Sequence, residues 1–132
     1  MGKLQERLKD PARSGVYRVS RATEILEALE GSGLALARVD LRQPVFEAFS
    51  RALAFPDWFG RNWDALEDCL TDLSWHEAAG HLVLLEGNDD GGVLVDVLDS
   101  AAQFWAGRGK PFFAVFLDPH KRLKLQDLFR EA

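Results

Sequence analysis

The sequence predicts an α/β fold, with a small, mainly parallel sheet packed by helices. Strand-like segments alternate with helix-patterned ones, and that alternation implies right-handed crossovers between parallel strands. Two strand segments, "HLVLLEG" (81–87) and "PFFAVFL" (111–117), are nearly continuous apolar runs, as expected of strands covered on both faces. At 132 residues, 47% hydrophobic and 28% charged, the chain fits one domain that can bury its own core. No internal repeat or low-complexity segment interrupts it.

Residues 1 to 14 are polar and charged, punctuated by Pro11 and followed by Gly15, and read as a frayed lead-in. "GVYRVS" alternates and is β-rich, which predicts a short strand. In "SRATEILEALEGSG", Ser20 is the candidate N-cap, Ile25, Leu26 and Leu29 form the apolar stripe, and Gly31 is the stop signal. "LALARVDL" reads as a strand. "QPVFEAFSRALAF" reads as a helix with Pro44 near its first turn and Val45, Phe46, Phe49 and Leu53 spaced for burial. "FPDWFGRN" is a loop, marked by Pro56 and Gly60. "WDALEDCLTDL" is a helix with Asn62 as N-cap and Asp64 in its first turn. After the 81–87 strand, "NDDGG" is a turn. "VLVDVLDSAAQFWAG" is helical and ends at Gly107 and Gly109. "DPHKRLKLQDLFREA" is expected to add a short terminal helix.

The single cysteine, Cys69, rules out an intramolecular disulfide and suits a reducing compartment. The first residues lack an apolar signal core, and no run approaches the ~20 residues that cross a bilayer. A cytoplasmic protein without membrane contact is expected. Net charge is −5, and its placement says more than its size. Between Asp57 and Glu77 stand six acids and one base, Arg61, so this segment carries the whole imbalance. The rest holds fifteen acids and fifteen bases. An acidic patch repels phosphate, which argues against nucleic acid, and attracts a basic protein.

On a helical wheel with Asp64 at zero, Asp68 falls near 40°, Asp72 near 80° and Glu67 near −60°. Leu66, Cys69, Leu70 and Leu73 occupy roughly 140° to 240°, the opposite side. Most acidic helix faces are simply solvated. A solvated face usually mixes signs, however, because like charges at i,i+4 weaken a helix. Here Asp64–Asp68 and Asp68–Asp72 are like pairs with no lysine or arginine between them. Composition alone leaves a binding face and a solvated face both open. The loop before it places Asp57, Trp58 and Phe59 beside Gly60. Phe59 is expected in the core, and Trp58 is the candidate exposed anchor.

The run Phe55-Pro56-Asp57-Trp58-Phe59-Gly60, then Asn62, Asp64-Ala65-Leu66 and Asp68-Cys69-Leu70-Thr71, resembles the barstar family. These are intracellular inhibitors of the secreted bacterial ribonuclease barnase. Looser similarity extends over 34–117. The resemblance implies a three-stranded parallel sheet packed by helices. Residues 1–33 form an extension that can add a fourth strand and a helix, and 118–132 form a tail, all within one domain. It implies that loop and acidic helix plug a ribonuclease active site lined with Arg, Lys and His, their carboxylates standing in for RNA phosphates. By position, Asp68 matches the central carboxylate, Asp64 its partner one turn earlier, and Trp58 a tyrosine that stacks on the enzyme. Glu67, Asp72 and Asp57 extend the same partner-binding surface. Gly60 and Asn62 look structural. A family member carries tryptophan at Glu67, Gly-Trp at Asp72-Leu73, and an acid near Ala106. These departures allow a different ribonuclease or another basic toxin as partner.

The resemblance implies a monomeric toxin-immunity protein with no catalytic residue, metal or cofactor. Two other readings compete. An interaction module of the same fold could bind another basic protein. A hydrolase could use paired carboxylates, but Asp64 and Asp68 face outward, where both would stay ionised. His76, His81 and His120 are scattered, and His76 and His81 are expected to flank the strand on the surface. Cys69, on the apolar arc with no adjacent cation, reads as a buried inert thiol.

Overall fold

The computed structural model describes residues 2–87 and 92–128. Five strands are seen: β1 (Gly15–Val19), β2 (Leu34–Asp40), β3 (Gly80–Glu86), β4 (Phe112–Leu117) and β5 (Gln126–Asp127). They form one sheet in the order β2-β3-β4-β1-β5, and every pairing is parallel. Five α-helices accompany them among the described residues: α1 (Gly2–Leu8), α2 (Ala22–Leu29), α3 (Val45–Leu53), α4 (Trp63–Leu70) and α5 (Gly92–Gly107).

Strand alternation sorts the core into two layers. Val39, Val83, Leu85, Ala114 and Phe116 point to the side packed by α3, α4 and α5. Tyr17, Val19, Leu82, Leu84, Phe113 and Val115 point to the other, where Leu8 of α1 and Ile25 of α2 cover them. β3 and β4 lie inside the sheet, and Leu82 to Leu85 and Phe112 to Val115 are all 0% exposed. Their continuous apolar sequence follows from having no wet face. Gly80 is required where β3 begins, because a Cβ there would sit 2.8 Å from the Pro111 carbonyl oxygen and 2.5 Å from a Leu34 methyl.

Several expectations are corrected. The N-terminal lead-in is structured: α1 is followed by a 3-10 turn at Pro11–Arg13, Leu8 is fully buried, and Arg7 donates to the Leu128 carbonyl. The N-cap position of α2 is Arg21 rather than Ser20, and no side chain caps it. Tail residues 118–128 form no helix. They loop back and pair at β5 with Tyr17 and Arg18 of β1, which makes the sheet five-stranded. The expected "NDDGG" turn at 88–92 lies, apart from Gly92 opening α5, outside the described residues.

Candidate functional site

Parallel topology decides where the acidic segment goes. α3 starts beyond the carboxyl end of β2 and runs back, so its last residue, Leu53, arrives at the amino edge of the sheet. The 54–62 loop, α4 and the 71–79 connection then lead into β3 at that same edge. Three hydrogen bonds fasten this region. Trp75 Nε1 donates to the Leu53 carbonyl at 2.9 Å, Trp105 Nε1 of α5 donates to the Leu70 carbonyl at 2.7 Å, and the Asn62 side chain accepts from Ala65 N at 2.8 Å. The last is the expected N-cap of α4.

Aromatic side chains hold the loop from beneath. Phe55 and Phe59 are buried and stack edge to face at 4.8 Å; Phe46 bridges Phe59 and Trp63. Trp75 meets Phe55 at 6.0 Å and Trp58 at 6.3 Å, both edge-on. Trp58 is 63% exposed, so its ring rests one edge on a fixed neighbour and leaves the remainder in water. The loop's left-handed residues are Ala54, at φ 54°, which closes α3, and Arg61, at φ 56°, whereas Gly60 has no positive φ and a Cβ there would meet only ordinary contacts. The structural role expected of Gly60 is therefore carried by Arg61 and by Asn62, whose amide also donates to the Gly60 carbonyl at 3.3 Å.

On α4, Leu66, Cys69 and Leu70 are 0% exposed, while Asp64, Glu67 and Asp68 are exposed. The wheel's two faces are thus separated as expected through Leu70. The helix stops there, earlier than the sequence suggested. Thr71 closes it, its hydroxyl donating to the Glu67 and Asp68 carbonyls, and Leu73 takes a left-handed φ of 50° with its side chain buried. Asp72 consequently leaves the helical arc and stands in the turn beyond it, still exposed. Asp57 is exposed in the loop.

None of Asp57, Asp64, Glu67, Asp68 and Asp72 forms an ion pair among the described residues. Arg61, the segment's lone base, turns away to Glu47 of α3 at 2.6 Å. The acids therefore face solvent without internal neutralisation. Cys69 is sealed beneath them, and burial pushes its thiol pKa up, with the charges of Asp72 and Asp68 adding to the shift. Burial of this kind disfavours the thiolate, the form that attacks or ligates. No group of three or more His, Cys, Asp or Glu able to hold a metal occurs among the described residues, and no described helix is long and apolar enough to cross a membrane.

His81 departs from expectation. It is 4% exposed, its Nδ1 has no hydrogen-bond partner, and its ring meets that of His76 at 5.5 Å. Burial first, then the nearby charges of His76 and Lys110, lower its pKa to about 4. Its position at the mouth of an apolar strand was the one available hint.

Comparison with known proteins found no matching curated protein and no matching solved structure. The family model described as Barstar (barnase inhibitor) matches residues 33–117, a span from β2 through β4 that contains the whole acidic segment. With more than half of the chain matched, and the 55–71 signature falling on the loop and helix just described, the protein is a member of the barstar family.

Proposed function

We propose that the protein inhibits a small, basic ribonuclease by inserting the 55–62 loop and the acidic face of α4 into its active site, performing no chemistry itself. The observation that carries this is the unneutralised set Asp57, Asp64, Glu67, Asp68 and Asp72, exposed on the segment where the family signature lies. A ribonuclease binds RNA phosphates with arginine, lysine and histidine, and fixed carboxylates satisfy the same donors. Asp68 takes the central position, Asp64 supports it one turn earlier, and Trp58 stacks at the rim. The inhibitor acts as a cytoplasmic monomer, as immunity against a nuclease made for export.

Glu67 and Asp72 add charge to this surface relative to a family member, and Ala106 contributes none. That difference favours a ribonuclease other than barnase itself, or a second kind of basic toxin, as the cognate partner.

Titration of the purified protein against a barnase-type ribonuclease, and against small secreted ribonucleases of the same source, tests the reading. Stoichiometric loss of RNA cleavage is expected, with association slowing as salt rises, since screening sets in beyond ~8 Å at physiological ionic strength. Asp68→Ala is expected to weaken the complex by about 3–5 kcal/mol, because an enzyme cation is left buried without its counter-ion. No complex at low salt with any of these enzymes would end the proposal.

A further inference from the structure

The 54–62 loop and the 71–79 connection meet through two tryptophans, and only one of the two is held by anything else. Both stand at the third position of a hydrogen-bonded turn. Phe59 N donates to the Pro56 carbonyl at 3.0 Å around Asp57 and Trp58, and His76 N donates to the Leu73 carbonyl at 3.0 Å around Ser74 and Trp75. The two indole rings lie perpendicular, with centroids 6.3 Å apart. Trp75 is fixed from two further sides. Its Nε1 donates to the Leu53 carbonyl, one of those left without a helical partner at the end of α3, and its ring meets the buried Phe55. Trp58 has no such restraint. Among the described residues its indole N–H makes no hydrogen bond, and Trp75 is the one aromatic ring beside it.

Leu73 supplies an independent observation. It opens the Trp75 turn in a left-handed conformation, φ 50°, which is costly for a leucine. Strain of that kind persists only where the surroundings fix it, and it gathers at functional sites. Here the turn it opens brings Trp75 against the loop that carries Trp58.

We propose that Trp75 is a positioning residue for Trp58. It holds the exposed ring in one orientation before an enzyme arrives, so that the ordering of this side chain is not left to the moment of binding. The perpendicular contact leaves a face of Trp58 clear for the partner. This role rests on the reading that Trp58 meets the ribonuclease. Trp75 itself lies beyond the 55–71 signature and acts through its neighbour.

Full-length protein labelled with fluorotryptophan gives a first test without any enzyme, the Trp58 fluorine resonance being assigned from its loss in Trp58→Phe. In Trp75→Leu that resonance is expected to move to the position of free tryptophan and to sharpen, while those of Trp63 and Trp105 stay in place. Trp75→Phe, which keeps a ring but not the bond to Leu53, is expected to retain part of the original shift. A Trp58 resonance unmoved in both variants would overturn the proposal. A ribonuclease that the parent inhibits then allows a double-mutant cycle. Trp75→Leu is expected to raise the dissociation constant about three- to tenfold, the scale of ordering one side chain on binding, and to have no further effect in the Trp58→Ala background. An equal loss in both backgrounds would assign Trp75 to the loop as a whole and overturn the proposal. If no ribonuclease is inhibited, the function proposed above fails alone, because the fluorine spectra are read without enzyme.

Discussion

Leu70 and Asp68 stand two residues apart on α4 and answer to different demands. Leu70 is fully buried, and its carbonyl is the acceptor that ties α4 to Trp105 of α5. Asp68 is exposed, pairs with no cation among the described residues, and occupies the last turn, where the helix presents its negative end. No basic residue offsets it there. One face of the helix is therefore accounted for by folding, and the other runs slightly against it. A face kept at a small local cost has its explanation outside the monomer, which is why stability and binding should come apart when the two faces are altered separately.

The largest expected effect on folding lies on the apolar face. Leu70→Ala removes a buried side chain from a layer shared with Leu66, Cys69 and α5, and about 2–5 kcal/mol of unfolding free energy is expected to go with it. Urea denaturation measures this directly. A loss below about 1 kcal/mol would mean that α4 is not anchored through this face, and the contrast with Asp68 would collapse.

The next effect is a dependence on pH that belongs to the scaffold and not to the acidic face. Folding holds His81 neutral, its pKa lowered from 6.5 to about 4 by burial and by the charges of His76 and Lys110. The unfolded chain therefore binds a proton that the folded chain refuses. The contribution is fully present above pH 6.5 and declines as pH falls toward 4, by about 1.4 kcal/mol per unit. Between pH 7 and pH 5 the protein is expected to lose about 2 kcal/mol that a His81→Leu variant keeps. Parallel stability curves for the two proteins over this range would show that His81 can take up its proton while folded. The variant would also let ribonuclease binding be followed into acid without the scaffold's own decline.

Much of this was legible in the sequence, for reasons that differ by residue. Strand runs such as 81–87 are readable because burial on both faces leaves no room for polar side chains. Asn62 is readable because capping is a local bond to Ala65 N. Leu8 and β5 were not, because neither owes its structure to local pattern. Leu8 is buried by α1 packing beside α2, and Gln126–Asp127 form a strand only because β1 offers an open edge. His81 was read as a surface residue because its burial comes from the fold, which pairs its N–H with the distant Pro111 carbonyl and sets the His76 ring against it, and its place at the mouth of an apolar strand was the one hint. The acidic face was visible as a charge imbalance, but the wheel extended it to Asp72. Termination at Leu70, with Leu73 in a left-handed conformation and no glycine to mark it, carries no sequence signal.

The smallest expected effect is the sharpest test of the contrast, because it predicts opposite signs within one acidic face. Asp64 lies in the first turn of α4, where a negative charge meets the positive end of the helix; Asp68 lies in the last turn, where it meets the negative end. Asp64→Asn is therefore expected to lower stability by a few tenths of a kcal/mol, and Asp68→Asn to raise it by a similar amount. Each substitution also relieves the i,i+4 repulsion between the two, which trims the loss at Asp64 and adds to the gain at Asp68. Both differences should shrink in 1 M salt, where the screening length falls to ~3 Å. Asp68→Asn should nevertheless bind a ribonuclease less tightly than the parent does. A fall in stability of more than about 1 kcal/mol at Asp68 would instead assign it to the fold, since an exposed carboxylate without a partner has no other route to an effect of that size.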